Sequence, residues 1–103
     1  MADNIKMRAQ LKNGVTEVKV LMSHPMETGR RKSDFGDTIP ANFIQLVTVY
    51  LNQQVVMHAQ WGTGISKNPY LTFYLAQAKQ GDVIKLEWQD NHGKRGEGEV
   101  SVS

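Results

Sequence analysis

Cysteine is absent from all 103 residues. That excludes a disulfide framework, a thiol nucleophile and any cysteine-ligated metal site, and it leaves the redox compartment open. Long apolar runs are missing too. No stretch approaches the roughly 20 apolar residues of a membrane helix, so no membrane span is expected. Met1-Ala2-Asp3-Asn4 lacks a basic start followed by an apolar run and does not read as a signal peptide. Charge of one sign is also missing. Lys and Arg number 12 against 10 Asp and Glu, and a net charge of +2 is too mild to argue for nucleic acid. No segment carries an apolar stripe of helical period, and residues 76–80 offer one helical turn at most.

What is there points to a globular β-fold. Hydrophobic residues make up 40% of the chain and charged residues 21%, which is ordinary for a packed domain and unlike a disordered one. The length suits a single domain over residues 1–103. Period-two alternation dominates. Ile5, Met7, Ala9 and Leu11 alternate with Lys6, Arg8 and Gln10, which predicts a half-buried strand with a wet basic face. Asn13-Gly14 is a hairpin turn signal, after which Val18, Val20 and Met22 resume the alternation.

Further strands are predicted at 43–51, at 54–61 with Val55, Met57, Ala59 and Trp61 on one face, and at 70–76. Two more follow at 83–89, with Ile84, Leu86 and Trp88 inward, and at 94–102, a weak edge strand interrupted by Gly96 and Gly98. Asn52-Gln53 occupies a turn position, although Gln is a poorer turn residue than Gly. Residues 23–41 have no apolar period and read as one long loop, the kind that is often functional. About seven short strands parted by turns favour an antiparallel β-sandwich, with a barrel second.

Chemistry is harder to find. His24, His58 and His92 share no ligand spacing and read as structural or solvated, with His58 facing solvent. Gly62-Thr63-Gly64 has Lys67 where a dinucleotide fingerprint needs glycine. Gly64-Ile65-Ser66 has Asn68 where a nucleophile elbow needs glycine. No catalytic residue, cofactor or metal is expected. Arg30-Arg31-Lys32 forms a basic cluster, either a solvated loop or a docking point for an acidic surface or small anion. Trp61, Phe73 and Trp88 fall in phase with apolar neighbours and read as core. If Tyr50, Tyr70, Tyr74 and Val56 share an exposed face, they form a patch of the kind that marks protein contacts.

Four segments, taken in order, resemble one family. His24-Pro25-Met26-Glu27-Thr28-Gly29-Arg30 resembles the start of the long loop in the SoxZ family of bacterial sulfur-oxidation carrier subunits. Ile39-Pro40-Ala41-Asn42-Phe43-Ile44 resembles that family's lead into its third strand, with Asn42 where many members have His. Trp61-Gly62-Thr63-Gly64-Ile65-Ser66-Lys67-Asn68-Pro69 resembles its W-G-x-G-[VI]-S-x-N-P loop. Gly81-Asp82, with the strand ending Trp88-Gln89-Asp90-Asn91, resembles its C-terminal region.

The resemblance implies an immunoglobulin-like sandwich and a non-catalytic subunit. It implies a heterodimer with SoxY, whose C-terminal arm carries sulfur intermediates on one cysteine while oxidising enzymes visit. It implies the periplasm, reached by co-export with the signal-bearing partner. Because they carry the family-specific residues, the two loops are the expected partner-binding surface, through His24, Met26, Glu27, Arg30, Arg31, Trp61, Ser66, Lys67 and Asn68. An orphaned apolar interface leaves a homodimer open for the isolated chain. Two other readings stand beside this one: a stand-alone sandwich binding an anionic ligand or another protein, and an enzyme using His24 with Glu27 as an acid–base pair.

Overall fold

The computed structural model describes residues 5–103; residues 1–4, read above against a signal peptide, lie outside it. Seven antiparallel strands follow in order: β1 Ile5–Lys12, β2 Val15–Met22, β3 Ile44–Leu51, β4 Gln54–Gln60, β5 Tyr70–Leu75, β6 Val83–Asp90 and β7 Arg95–Ser101. They form a three-stranded sheet, β1-β2-β5, and a four-stranded sheet, β4-β3-β6-β7. The chain changes sheet after β2, β4 and β5, which is the crossing pattern of an immunoglobulin-like sandwich. Among the described residues there is no helix, and residues 76–80 make bends rather than the helical turn allowed for them. No helix is therefore long and apolar enough to cross a membrane.

The core is made by the inward phase of both sheets. Val18, Val20 and Met22 from one face Val47, Val49, Ile84, Leu86 and Trp88 from the other, all at 2% exposure or less. Burying an aliphatic side chain of this size contributes about 1.5–3 kcal/mol. The alternation predicted for β2, β5 and β6 is observed, with Phe73 and Leu75 buried on β5. Leu11 falls outside it, at 39% exposure beyond the last core layer of β1.

β4 departs from its expected phase. Its register against β3 slips between Val49 and Tyr50, so Met57 pairs with Val49 while Val55 pairs with Tyr50. Val56 is the extra residue of this bulge and packs on the core, whereas Val55 is 58% exposed. One inserted residue reverses the faces beyond it. The sequence reading that put Val55 inward and Val56 outward is corrected accordingly.

Gly96 and Gly98 do more than weaken β7. A methyl group on Gly96 would lie 2.4 Å from Trp88 Cε2, and one on Gly98 would lie 2.8 Å from Ile5 Cγ2. These glycines let the indole and β1 close onto β7. Beyond β7 the chain adds to β1: Leu11 N–H donates to Ser103 C=O at 2.9 Å, and Ser103 N–H to Ala9 C=O at 3.1 Å. That seam of the sandwich is closed. On the other side, β4 and β5 end their sheets, with no strand beside them among the described residues.

Candidate functional site

Antiparallel connectivity puts the 23–43, 61–69 and 91–94 segments at one end of the sandwich. The first is no plain loop. Glu27 and Asn42 exchange backbone hydrogen bonds at 2.7 and 3.0 Å, and Ile39 N–H donates to Arg31 C=O at 2.8 Å. Bridges at Glu27–Asn42 and Lys32–Thr38 make it an irregular hairpin. Ser33 builds its tip, accepting on Oγ from the Phe35 and Asp37 N–H groups at 3.3 and 3.2 Å. Phe35 rides on that tip at 92% exposure.

The hairpin is anchored by a buried pair. His24 continues the inward phase of β2, and Asp90 ends the inward phase of β6; they are 4% and 2% exposed. His24 Nε2 donates to Asp90 Oδ2 at 3.1 Å, while Nδ1 accepts from Met26 N–H at 3.1 Å. The acceptor at Nδ1 assigns the proton to Nε2. Asp90 Oδ1 accepts from the N–H groups of His92 and Lys94, both at 2.9 Å. Burial pushes the Asp90 carboxyl up, but hydrogen bonds from His24, Lys94 and His92 outweigh burial and hold it below the ordinary aspartate range. The Trp88 ring meets His24 edge-on, with centroids 5.0 Å apart.

The other segments tie into the same pair. Asn68 Oδ1 accepts from His24 N–H at 3.1 Å, and Asn68 N–H donates to His24 C=O at 2.9 Å. Met26 has φ of +48°, a left-handed conformation that costs a non-glycine residue about 1–2 kcal/mol. Its bond to His24 and a long contact from Ile44 N–H to its Sδ, 3.4 Å, help hold it there. Asn91 accepts from Phe43 N–H and donates to Ala41 C=O, at 2.8 and 3.0 Å, fixing the return of the hairpin.

The expected binding residues divide into two groups. His24 and Met26 are buried and cannot present their side chains to a partner, which corrects the expectation that they line the surface. The reason is phase: both continue the inward alternation past Met22. His24 also cannot act with Glu27 as an acid–base pair. Its ring nitrogens are taken by Asp90 and Met26, and Glu27 is held by Arg31 through Nη2 at 2.6 Å and Nε at 3.1 Å. That bidentate bond lowers the Glu27 carboxyl against burial, and the charges of Arg31 and Lys67 add to the effect.

Arg30, Ser66 and Lys67 are exposed and free to meet a partner, while Asn68, also exposed, is committed to His24. Trp61 is half-buried rather than core. It packs against the core edge and lines a groove with Ile65, Ser66, Pro69 and Leu71. Sequence reasoning passed over Asp90. A carboxylate in line with Ile84, Leu86 and Trp88 is a signal in itself, because a charge in an apolar phase requires a partner. Among the described residues, no group of three or more His, Asp or Glu could hold a metal ion. His58 is exposed, as expected, and touches Thr48.

The fold and the loop end together define a β-sandwich domain whose long connections are braced on one buried pair, a rigid frame for surface loops. Residues 5–101 match the family described as Sulphur oxidation protein SoxZ, and the chain belongs to that family. No curated protein matches the chain. Membership places it in the sulfur-oxidation system, and the matched range includes the four segments singled out above.

Proposed function

We propose that this chain is the non-catalytic half of a sulfur-carrier pair, a heterodimer with a SoxY-type subunit whose cysteine arm bears the thiosulfate-derived intermediates. The observation that carries this reading is the braced loop end. Family-specific residues that look scattered in sequence converge on the His24–Asp90 pair, which stiffens a surface bearing Arg30, Ser66 and Lys67. A chain without cysteine cannot carry the sulfur as its own thiol adduct, so its contribution is to hold the partner and receive visiting enzymes. It works in the periplasm, exported with its signal-bearing partner.

Reconstituted thiosulfate oxidation tests this directly. Turnover should stop when this subunit is omitted and SoxY remains, and the subunit alone should do nothing to thiosulfate. Undiminished turnover without it, or turnover by it alone, overturns the reading. Within that assay, Arg30→Ala with Lys67→Ala should lower turnover and weaken its salt dependence while leaving the fold unchanged.

A further inference from the structure

The two outer faces of the sandwich differ in charge. On the three-stranded sheet, Lys6, Arg8, Lys12 and Lys19 stand against one carboxylate, Glu17. That carboxylate is already engaged by Lys12 at 3.2 Å and Lys19 at 3.9 Å. On the four-stranded sheet, Glu87, Glu97 and Glu99 outnumber Lys85 and Arg95, and Lys85 bridges Glu87 and Glu97. The basic face also carries its own exposed apolar surface: Leu21 at 41%, Tyr70 at 62% and Tyr74 at 62%. Leu21 and Tyr70 are cross-strand neighbours next to Lys6.

Those tyrosines lie on an open strand. β5 ends its sheet, and its register shows which backbone groups are unpaired. Met22 N–H donates to Pro69 C=O, so the hydrogen-bonded positions run Pro69, Leu71, Phe73, Leu75. Tyr70, Thr72 and Tyr74 therefore turn their N–H and C=O groups to the free edge while their side chains stand on the basic face. Where the edge begins, the groove of Trp61, Ile65, Pro69 and Leu71 opens on the inner side. A strand added here would find backbone partners, an apolar socket and a cationic face together.

We infer that β5 is a docking edge, and that an extended acidic segment of a partner protein adds to it as a fourth strand. This deepens the proposed function, because the partner is sought within the sulfur-oxidation system. Inward side chains of the segment fill the groove. Its carboxylates lie on the outer side, where the short Thr72 leaves the way open to Lys19, with Arg8 one strand further adding to the positive field. Charge decides between occupants. A second copy paired edge to edge would extend one sheet with two basic faces side by side, whereas an acidic segment is drawn to the same surface.

Amide hydrogen exchange on the full chain, alone and mixed with purified SoxY and then with each sulfur-oxidising enzyme, tests the edge. One of these proteins should slow exchange at Tyr70, Thr72 and Tyr74 at least tenfold. Arg8→Glu with Lys19→Glu should weaken that binding at least tenfold and reverse its salt dependence, with the melting temperature unchanged. Thr72→Pro removes an edge N–H and fixes φ at an edge position that tolerates it; with the circular dichroism of the fold unchanged, it should abolish the protection at Tyr70 and Tyr74. No protection with any of these proteins overturns the inference, even where turnover still requires the subunit. Concentration-dependent protection in the chain alone, indifferent to the charge reversal, assigns the edge to a second copy and overturns it equally. Turnover that ignores the subunit would instead strike the functional reading.

Discussion

The two ends of the sandwich solve the same problem by different means. At one end two of the connections, β1–β2 and β3–β4, reverse the chain in two residues each. Asn13-Gly14 has φ values of +52° and +82°, and Asn52-Gln53 has +49° and +73°, the left-handed pairs of two-residue hairpins. The turn residues do the work themselves, helped by Asn52 clasping Val83 through its N–H and its Oδ1 at 2.8 and 2.9 Å. At the other end, the 23–43, 61–69 and 91–94 segments satisfy their backbone groups on one another and on two buried side chains. Tight turns need only local chemistry. Long connections need a shared anchor, and here His24 with Asp90 supplies it. The anchored end is accordingly where surface side chains can be held in place without belonging to a strand.

The difference can be broken most severely at Asp90. Asp90→Ala strips three donors of their acceptor, the His24 ring and the N–H groups of His92 and Lys94. Each buried donor left without an acceptor costs about 1–3 kcal/mol. Denaturant unfolding should show that loss, and exchange should rise through the 23–43 hairpin while the Asn13-Gly14 end stays protected. Uniform loss of protection at both ends would show that the ends are not separately braced. Gly96→Ala comes next. Its methyl group would press on the Trp88 ring beneath His24, and overpacking of this kind costs about 1–3 kcal/mol.

Acid should act on the braced end first. The Asp90 carboxyl is held below its ordinary range, so the folded state favours the charged form more than the unfolded chain does. Its contribution is present above the unfolded aspartate range near pH 4 and is lost as pH falls through the lower folded value. Asp90→Asn should flatten the stability profile in that window, and an unchanged profile would remove Asp90 as its source. The smallest effect belongs to the tight end. Gln53 sits at φ +73° with a side chain, and Gln53→Gly should raise stability by about 0.5–1 kcal/mol. A loss there would mean that the Gln53 side chain contributes contacts that outweigh the strain.

The tight end was largely legible from sequence because its signals are local. Alternation marked most of the strands, β-branched and aromatic residues marked β3, and Asn13-Gly14 declared its own turn. The braced end was legible only by family likeness, since its logic joins residues far apart in the chain. His24 and Asp90 are separated by 66 positions, and nothing near either one names the other. What could be read, and was not, is phase. His24 and Met26 follow Met22 at even spacing, and Asp90 follows Trp88, so each was marked as inward by the alternation that defined its strand. The β4 bulge gives no such mark. Its extra residue, Val56, is as apolar as its neighbours, and only pairing with β3 shows which valine turns in.

The closed seam between β1 and the chain beyond β7 also sets an order in time. Ser103 Oγ and N–H both reach Ala9 C=O, across 94 positions of sequence. The first strand can pair with β2 as soon as both exist, yet its outer edge stays bare until the last strand arrives. A contact of such long range lowers the folding rate and leaves a partly made chain with a sticky border. The border of β1 is thus finished by residues far from it in sequence, and removing residues 101–103 should reopen β1 long before it touches any turn.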